Sequence, residues 1–189
     1  MKVAITGATG LIGSALTPFL QSGGHSVVAL RRISGDANGT AGWNPETGEL
    51  ISEALEGVDA VVHLAGENIA SGRWNEARKA RIRDSRVGPT RRLAKALARR
   101  NPRLKTLVVA SAIGYYGDRG AERLNEASTA GSGFLPEVCE AWEGATESAR
   151  EAGIRVVHLR IGIVLTPAGG ALGQMLLPFK MGVGGKIGS

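Results

Sequence analysis

Cysteine is almost missing: Cys139 stands alone in 189 residues. That excludes an internal disulfide and suits a reducing, cytoplasmic setting. Aromatic residues make up only 4% of a chain that is 43% hydrophobic. The core must therefore be built from Val, Ile, Leu and Ala, as in buried parallel sheets. No apolar run approaches the ~20 residues needed to cross a membrane as a helix. The first apolar strand opens at residue 2, so no signal or transit peptide is expected. The three histidines, His25, His63 and His158, show no ligand spacing, so no metal site is expected. Acidic residues are scarce where basic ones gather. Between Arg73 and Arg103 twelve Arg/Lys face only Glu76 and Asp84, within a net charge of +6. A nucleic-acid reading would want aromatics or a known module beside them, and only Trp74 is there, so a solvated helix face is the preferred account. The length suits one α/β domain with a sizeable core and is short for two.

What the chain has in quantity is glycine, and the first three matter most. Lys2-Val-Ala-Ile-Thr-Gly-Ala-Thr-Gly-Leu-Ile-Gly13 reads as a buried β-branched strand, a glycine turn and the start of an amphipathic helix reaching Gly23-Gly24. Gly7 allows a tight turn, Gly10 lets the backbone approach a diphosphate, and Gly13 lets the helix pack on the strand. Thr9, Leu11 and Ile12 complete the loop whose free N–H groups and positive helix end suit a pyrophosphate. With Thr6 in front, the run resembles the Thr-Gly-x-x-Gly-x-x-Gly signature of short-chain dehydrogenases/reductases.

A second strand, His25–Leu30, ends in Arg31-Arg32. This tip lies about 20 residues past the glycines, where an acid would hold the 2′-hydroxyl of NAD and arginine accommodates the 2′-phosphate of NADP. Two arginines and no carboxylate favour NADP(H). A loop from Ile33 to Gly48 holds a short strand near Trp43 and the turn Asn44–Gly48. A brief helix around Ser52–Leu55 leads to a fourth strand, Asp59–Gly66, whose Leu64, Ala65 and Gly66 should pass under adenosine and ribose. His63, inside that strand, reads as a satisfied core histidine. Asn75 caps a long helix, Glu76–Arg100, with Ala77, Ala80, Ile82, Leu93, Ala96 and Leu97 toward the sheet. Gly88-Pro89 should kink or split it. A fifth strand, Lys105–Ser111, runs into Ala112–Gly117 and a polar loop. Pro136 opens a helix with Val138, Trp142 and Ala145 as its stripe. The sixth strand is Arg155–Arg160, followed by Ile161–Leu165 and a glycine-rich tail. The pattern predicts a doubly wound parallel Rossmann sheet with helices on both faces.

Four further motifs narrow the family: His-Leu-Ala-Gly-Glu-Asn (63–68), Ser-Ala-Ile-Gly-Tyr-Tyr-Gly (111–117), Leu-Arg-Ile-Gly-Ile-Val-Leu (159–165) and Met-Leu-Leu-Pro-Phe (175–179). Together with the glycine loop they resemble the atypical "epimerase family", short-chain dehydrogenase/reductase family 39U, or SulA-like nucleoside-diphosphate-sugar epimerases. The resemblance runs the whole length. It implies NADP(H) held by the glycine loop, Arg31-Arg32 and Leu64-Ala65, with further contacts from Arg86 and Ile163. It also implies an NADP-binding domain over 1–165 and the start of a substrate-side segment over 166–189, with the small C-terminal domain of such proteins missing here.

Active short-chain enzymes pair a tyrosine with a lysine four residues later and polarise the carbonyl with a hydroxyl on the fifth strand. By that comparison the pair falls on Cys139 and Glu143, one face of a helix with inverted chemistry, since a carboxylate raises a neighbouring donor's pKa where lysine lowers it. Glu143 could still accept hydrogen bonds from ribose hydroxyls. Ser111 or Tyr115 is left as the candidate proton source. Two readings stay open. One is an NADP(H)-dependent oxidoreductase or epimerase acting on a carbonyl or sugar-nucleotide-like substrate. The other is a non-catalytic NADP(H)-binding sensor or regulatory module, linked by the family's naming to cell division. The expected partners are the dinucleotide and a small molecule, with no membrane.

Overall fold

The computed structural model describes residues 1–33, 42–51, 55–69, 72–100 and 104–185. Six strands form one parallel sheet: β1 (Lys2–Thr6), β2 (Ser26–Arg32), β3 (Gly42–Trp43), β4 (Ala60–His63), β5 (Thr106–Ala112) and β6 (Arg155–Ile161), in the order β3-β2-β1-β4-β5-β6. Helices α1 (Leu11–Ser22), α2 (Glu76–Arg100), α3 (Phe134–Gly144), α4 (Glu147–Glu151) and α5 (Gly170–Lys180) connect and follow them.

The alternation of side chains along β1 decides which helix packs where. Val3 and Ile5 point to one face and meet Leu16 and Leu20 of α1. Ala4 points to the other, where Leu93, Ala94 and Leu97 of α2, Trp142 of α3 and Ala149 of α4 build the larger core. A small alanine there lets α2 approach closely. Fully burying one such Leu or Ile contributes roughly 1.5–3 kcal/mol, so these few side chains fix the layer order.

The chain runs from β1 outward to β2 and β3, then returns to place β4 on the other side of β1. The strand order therefore reverses between β1 and β4, where a crevice opens above the carboxyl ends. Two strand ends lie two residues or more from those read off the sequence, the others within one. β2 extends through both arginines because Arg31 and Arg32 pair with Gly42 and Trp43 of β3. β4 stops at His63, three residues early, because its neighbour β1 turns away at Gly7; the Leu64 N–H to Thr6 carbonyl bond (3.1 Å) is the last rung. Leu64 to Gly66 are thus loop.

The long helix is not split at Gly88-Pro89; α2 runs unbroken from Glu76 to Arg100. Pro89 withholds an N–H from the Ser85 carbonyl, but both residues line the crevice, so the deficit lies on an open wall instead of in the core. Its inward face also differs. Ile82, Leu93 and Leu97 are buried and Ala96 is partly so, but Ala77 and Ala80 are exposed and Arg78 and Thr90 are buried instead. Arg78 is admitted because its guanidinium pairs with Glu67 and the Asn68 carbonyl. Five other basic residues of the helix, Arg81, Arg83, Arg91, Lys95 and Arg99, follow the solvated-face reading and are exposed. The expected helix around Ser52–Leu55 falls mostly outside the described residues.

Candidate functional site

A cavity of about 1180 Å³ opens at the strand-order reversal. Its floor is the turn after β1. Gly7 has φ +72, a left-handed conformation that a side chain would strain, and the Gly10 N–H closes the turn onto its carbonyl at 3.0 Å. A Cβ on Gly7 would come 2.9 Å from the Ala65 nitrogen, and one on Gly13 would collide with the Gly7 carbonyl. The loop after β4, the turn and α1 are therefore locked together by the absence of side chains. No side chain caps α1, and its first turn holds no acid. Its leading N–H groups and the positive end of its dipole are left to whatever enters the cavity.

Of the residues singled out from the sequence, Gly7, Thr9, Gly10, Arg31, Arg32, Leu64, Ala65 and Gly66 all line this one cavity. Gly13 is buried beneath the turn. Ile12, half-buried, and Leu11, exposed beside Gly169 and Gly170, are not in the cavity lining. Arg86 sits behind the wall. It donates to the carbonyls of Glu67 (2.8 Å) and Ile82 (3.0 Å), lies 5.2 Å over the Trp142 ring and backs Gly66. Burial lowers its pKa from the ordinary guanidinium value. Ile163 lies beyond β6, 74% exposed and apart from the cavity wall.

The other wall was not foreseen. Ser85, Pro89 and Arg92, spaced by four and three residues, form a stripe along α2, and Trp43 and Pro45 close the far end. The spacing is legible in the sequence, but Arg92 is one of many cations there and nothing local marks it out.

Ser111 and Tyr115 belong to a separate polar cluster at the carboxyl ends of β5 and β6. Ser111 is buried and donates its hydroxyl hydrogen to Glu143 at 2.7 Å. Arg160 grips the same carboxylate at 2.9 and 3.0 Å, donates to the Tyr116 hydroxyl at 3.0 Å and stacks on the Tyr115 ring at 3.5 Å. Burial alone would push the Glu143 carboxyl up, but the bonds from Arg160 and Ser111 outweigh it and hold its pKa below the ordinary value. Cys139 and Glu143 do share one helix face: the thiol meets the Ala112 carbonyl at 3.8 Å, and burial pushes its pKa up. Glu143, offered from the sequence as an acceptor for ribose hydroxyls, already serves Ser111 and Arg160. Arg160 was missed because its partners are brought together only by folding.

His63 is fully buried, with Thr6 at 2.6 Å and Thr90 at 3.0 Å on its two ring nitrogens. Burial lowers its pKa to about 4, so it is neutral near pH 7. Thr90 also takes the Trp142 indole N–H at 2.9 Å, tying β1, β4, α2 and α3 beneath the cavity. Among the described residues no helix is long and apolar enough to cross a membrane.

Comparison with known proteins adds to this geometry. An epimerase family protein of Mycobacterium bovis is 46% identical over 187 residues, covering 99% of this chain and 62% of that protein. The human epimerase family protein SDR39U1 is 38% identical over 192 residues, covering 100% of this chain and 63% of the human one. The chain thus spans about three fifths of the length of the curated relatives it matches. Among solved structures, a nucleoside-diphosphate sugar epimerase from Corynebacterium glutamicum superposes with a TM-score of 0.83 at 43% identity, over 100% of this chain and 39% of that one. Human SDR39U1, solved with NADPH, superposes with a TM-score of 0.80 at 35% identity, over 100% of this chain and 63% of that one. Residues 3–170 match the NAD dependent epimerase/dehydratase family, and with the parallel sheet and its bare glycine crevice this chain belongs to that family.

Proposed function

We propose that this chain binds NADP(H) in the crevice between β1 and β4 and is the cofactor-binding part of an oxidoreductase or epimerase-like enzyme. Its substrate would be a carbonyl or sugar-nucleotide-like molecule. The observation that carries this reading is the coincidence, in one cavity, of an uncapped helix end over a side-chain-free turn with Arg31 and Arg32 in the lining. The bare turn suits a diphosphate and the arginines suit an added 2′-phosphate. Leu64, Ala65 and Gly66 would lie under the adenosine, and Thr9, Leu11 and Ile12 would bring backbone to the diphosphate. Arg86 would act by holding the Gly66–Glu67 segment in place, and Ile163 would contribute from beyond β6. Human SDR39U1, with which this chain shares its fold over its full length, was solved with NADPH, which supports the choice of coenzyme.

When bound, the coenzyme supplies hydride chemistry; the chain's task is to orient it, exclude water and provide a proton source. Ser111 and Tyr115 stand at the carboxyl end of β5, the edge on which ligands of such sheets rest. We assign residues 1–165 to the cofactor domain and 166–189 to the beginning of a substrate-side segment. The reading is supported by α5, which has no buried residue and leaves Leu177 and Phe179 exposed. A cytoplasmic setting fits the single, buried, unpaired Cys139.

A second reading, a non-catalytic NADP(H) sensor, is favoured by one observation. The Ser111 hydrogen is already committed to an ionised Glu143, where a carbonyl-polarising hydroxyl would need it free. Two measurements separate the cases. In a binding titration, Arg31→Asp with Arg32→Ala should weaken NADPH about tenfold or more while NADH changes little; equal losses for both would refute the coenzyme assignment. Stopped-flow NADPH oxidation over a carbonyl panel then decides between enzyme and sensor, because only an enzyme turns over saturably.

A further inference from the structure

The wall of the cavity opposite the arginine-bearing strand carries a third cation. Arg92 is on α2, one helical stripe with Ser85 and Pro89, whereas Arg31 and Arg32 come from β2. All three residues therefore border one space from two sides. None of the three forms an ion pair among the described residues, although Glu46 and Asp84 also line the cavity. Glu46 and Asp84 are both exposed, so their carboxylates are solvated and weak as competitors.

Arg92, exposed as a residue, is also tethered. Its Nη1 donates to the Pro45 carbonyl at 2.9 Å. Its stem packs against Gly48, where an added Cβ would come 2.9 Å from the Arg92 Cβ. The Asn44 side chain accepts the N–H groups of Glu46 (2.8 Å) and Thr47 (3.2 Å), which fixes the turn that presents that carbonyl. A guanidinium has five N–H donors in a rigid fork, and this one bond uses a single donor. The rest of the fork is left to donate elsewhere from a side chain tethered at one end, and a guanidinium restrained in advance loses less entropy on making a further charged contact.

We infer that Arg92 is a specificity-determining residue that clasps the 2′-phosphate of the adenosine from the α2 side, facing Arg31 and Arg32 across it. This rests on the reading of the cavity as an NADP(H) site. It gives the short strand β3 and its turn a function beyond edge pairing, since they position a cation that belongs to a distant helix.

The test uses two nucleotide fragments, 2′,5′-ADP and 5′-AMP, titrated calorimetrically into the full chain and into Arg92→Gln and Arg92→Ala. The wild-type chain should bind 2′,5′-ADP far more tightly. Both variants should lose roughly tenfold or more for 2′,5′-ADP. Their 5′-AMP affinity should stay within about twofold, and the loss should shrink as salt is raised. Arg92→Lys should retain part of the preference, because a point charge remains while the fork is gone. Gln keeps an N–H for the Pro45 carbonyl, so Arg92→Gln decides the matter if the alanine variant fails to fold. Should the wild-type chain not distinguish the two fragments, the NADP(H) reading itself falls. Should it distinguish them and Arg92→Gln do so equally well, only the assignment of Arg92 falls.

Discussion

At the scale of single residues, burial sets the chemistry more than residue type does. His63 could have been read as a base or a metal ligand, yet full burial between two threonines keeps it neutral and lowers its pKa to about 4. The consequence is a pH-dependent stability with a definite sign. A histidine whose folded pKa lies below its unfolded value of about 6.5 binds fewer protons folded than unfolded. Its stabilising contribution is complete above pH 6.5 and is lost as the pH falls toward 4, about 3 kcal/mol in all for a shift of that size. His158, also lowered by burial, works in the same direction. Glu143, held below its ordinary value, loses its contribution only at lower pH still. Urea unfolding at stepped pH should show stability falling between neutrality and pH 4.5. In His63→Gln, which keeps hydrogen-bonding groups but does not titrate, that slope should be clearly flatter; an unchanged slope would mean that other groups dominate.

At the scale of elements, the sequence was readable wherever a segment's pattern was local. The strand–glycine–helix opening, the alternation in β1 and the apolar stripe of α3 depend on nearest neighbours along the chain, and their type and order were legible. What was missed depends on partners far away. The length of β4 is set by where β1 turns, the inward place of Arg78 by Glu67, and the continuity of α2 through Pro89 by the open cavity beside Ser85. The turn Asn44–Gly48 is a mixed case. Its composition announced a turn, but only the fold reveals that Gly48, at φ +79, packs on the stem of Arg92. An alanine there would meet both a left-handed backbone and a close contact with a side chain anchored at its far end. Gly48→Ala should therefore destabilise by roughly 1–2 kcal/mol. It should also weaken 2′,5′-ADP more than 5′-AMP, because the turn carries Arg92 with it. Thermal unfolding and the same calorimetric titration read both effects. A variant as stable as the wild type would show that the turn yields easily.

For the whole molecule, the two halves of the site were not equally legible. The end proposed for the phosphates is written in consecutive residues, Gly7 to Gly13 and Arg31-Arg32, so spacing alone marked out residues that the fold brings to one cavity. The cluster of Ser111, Glu143, Arg160 and Tyr116 joins four separate elements, and nothing in their linear order announced a network. The same contrast bears on where the cofactor-binding unit ends. The two core clusters draw on β1 to β6 and α1 to α4, while α5 buries no residue and exposes Met175, Leu177 and Phe179. Gly169 and Gly170, at its start, lie beside Leu11 at the start of α1. If stability tracks buried apolar surface, removing a segment with no fully buried residue among those described, and only Leu172, Leu176 and Pro178 of its larger apolar side chains half-buried, should cost little. A chain ending after Leu165 should fold cooperatively with a midpoint a few degrees from that of the full chain. It should bind NADPH within about threefold, since no residue past 165 lines the cavity. Circular dichroism melts and a fluorescence titration of the shortened chain measure both quantities. Loss of folding, or of nucleotide binding in a folded product, would move the boundary of the cofactor unit past α5 and make the Leu11 contact a structural requirement.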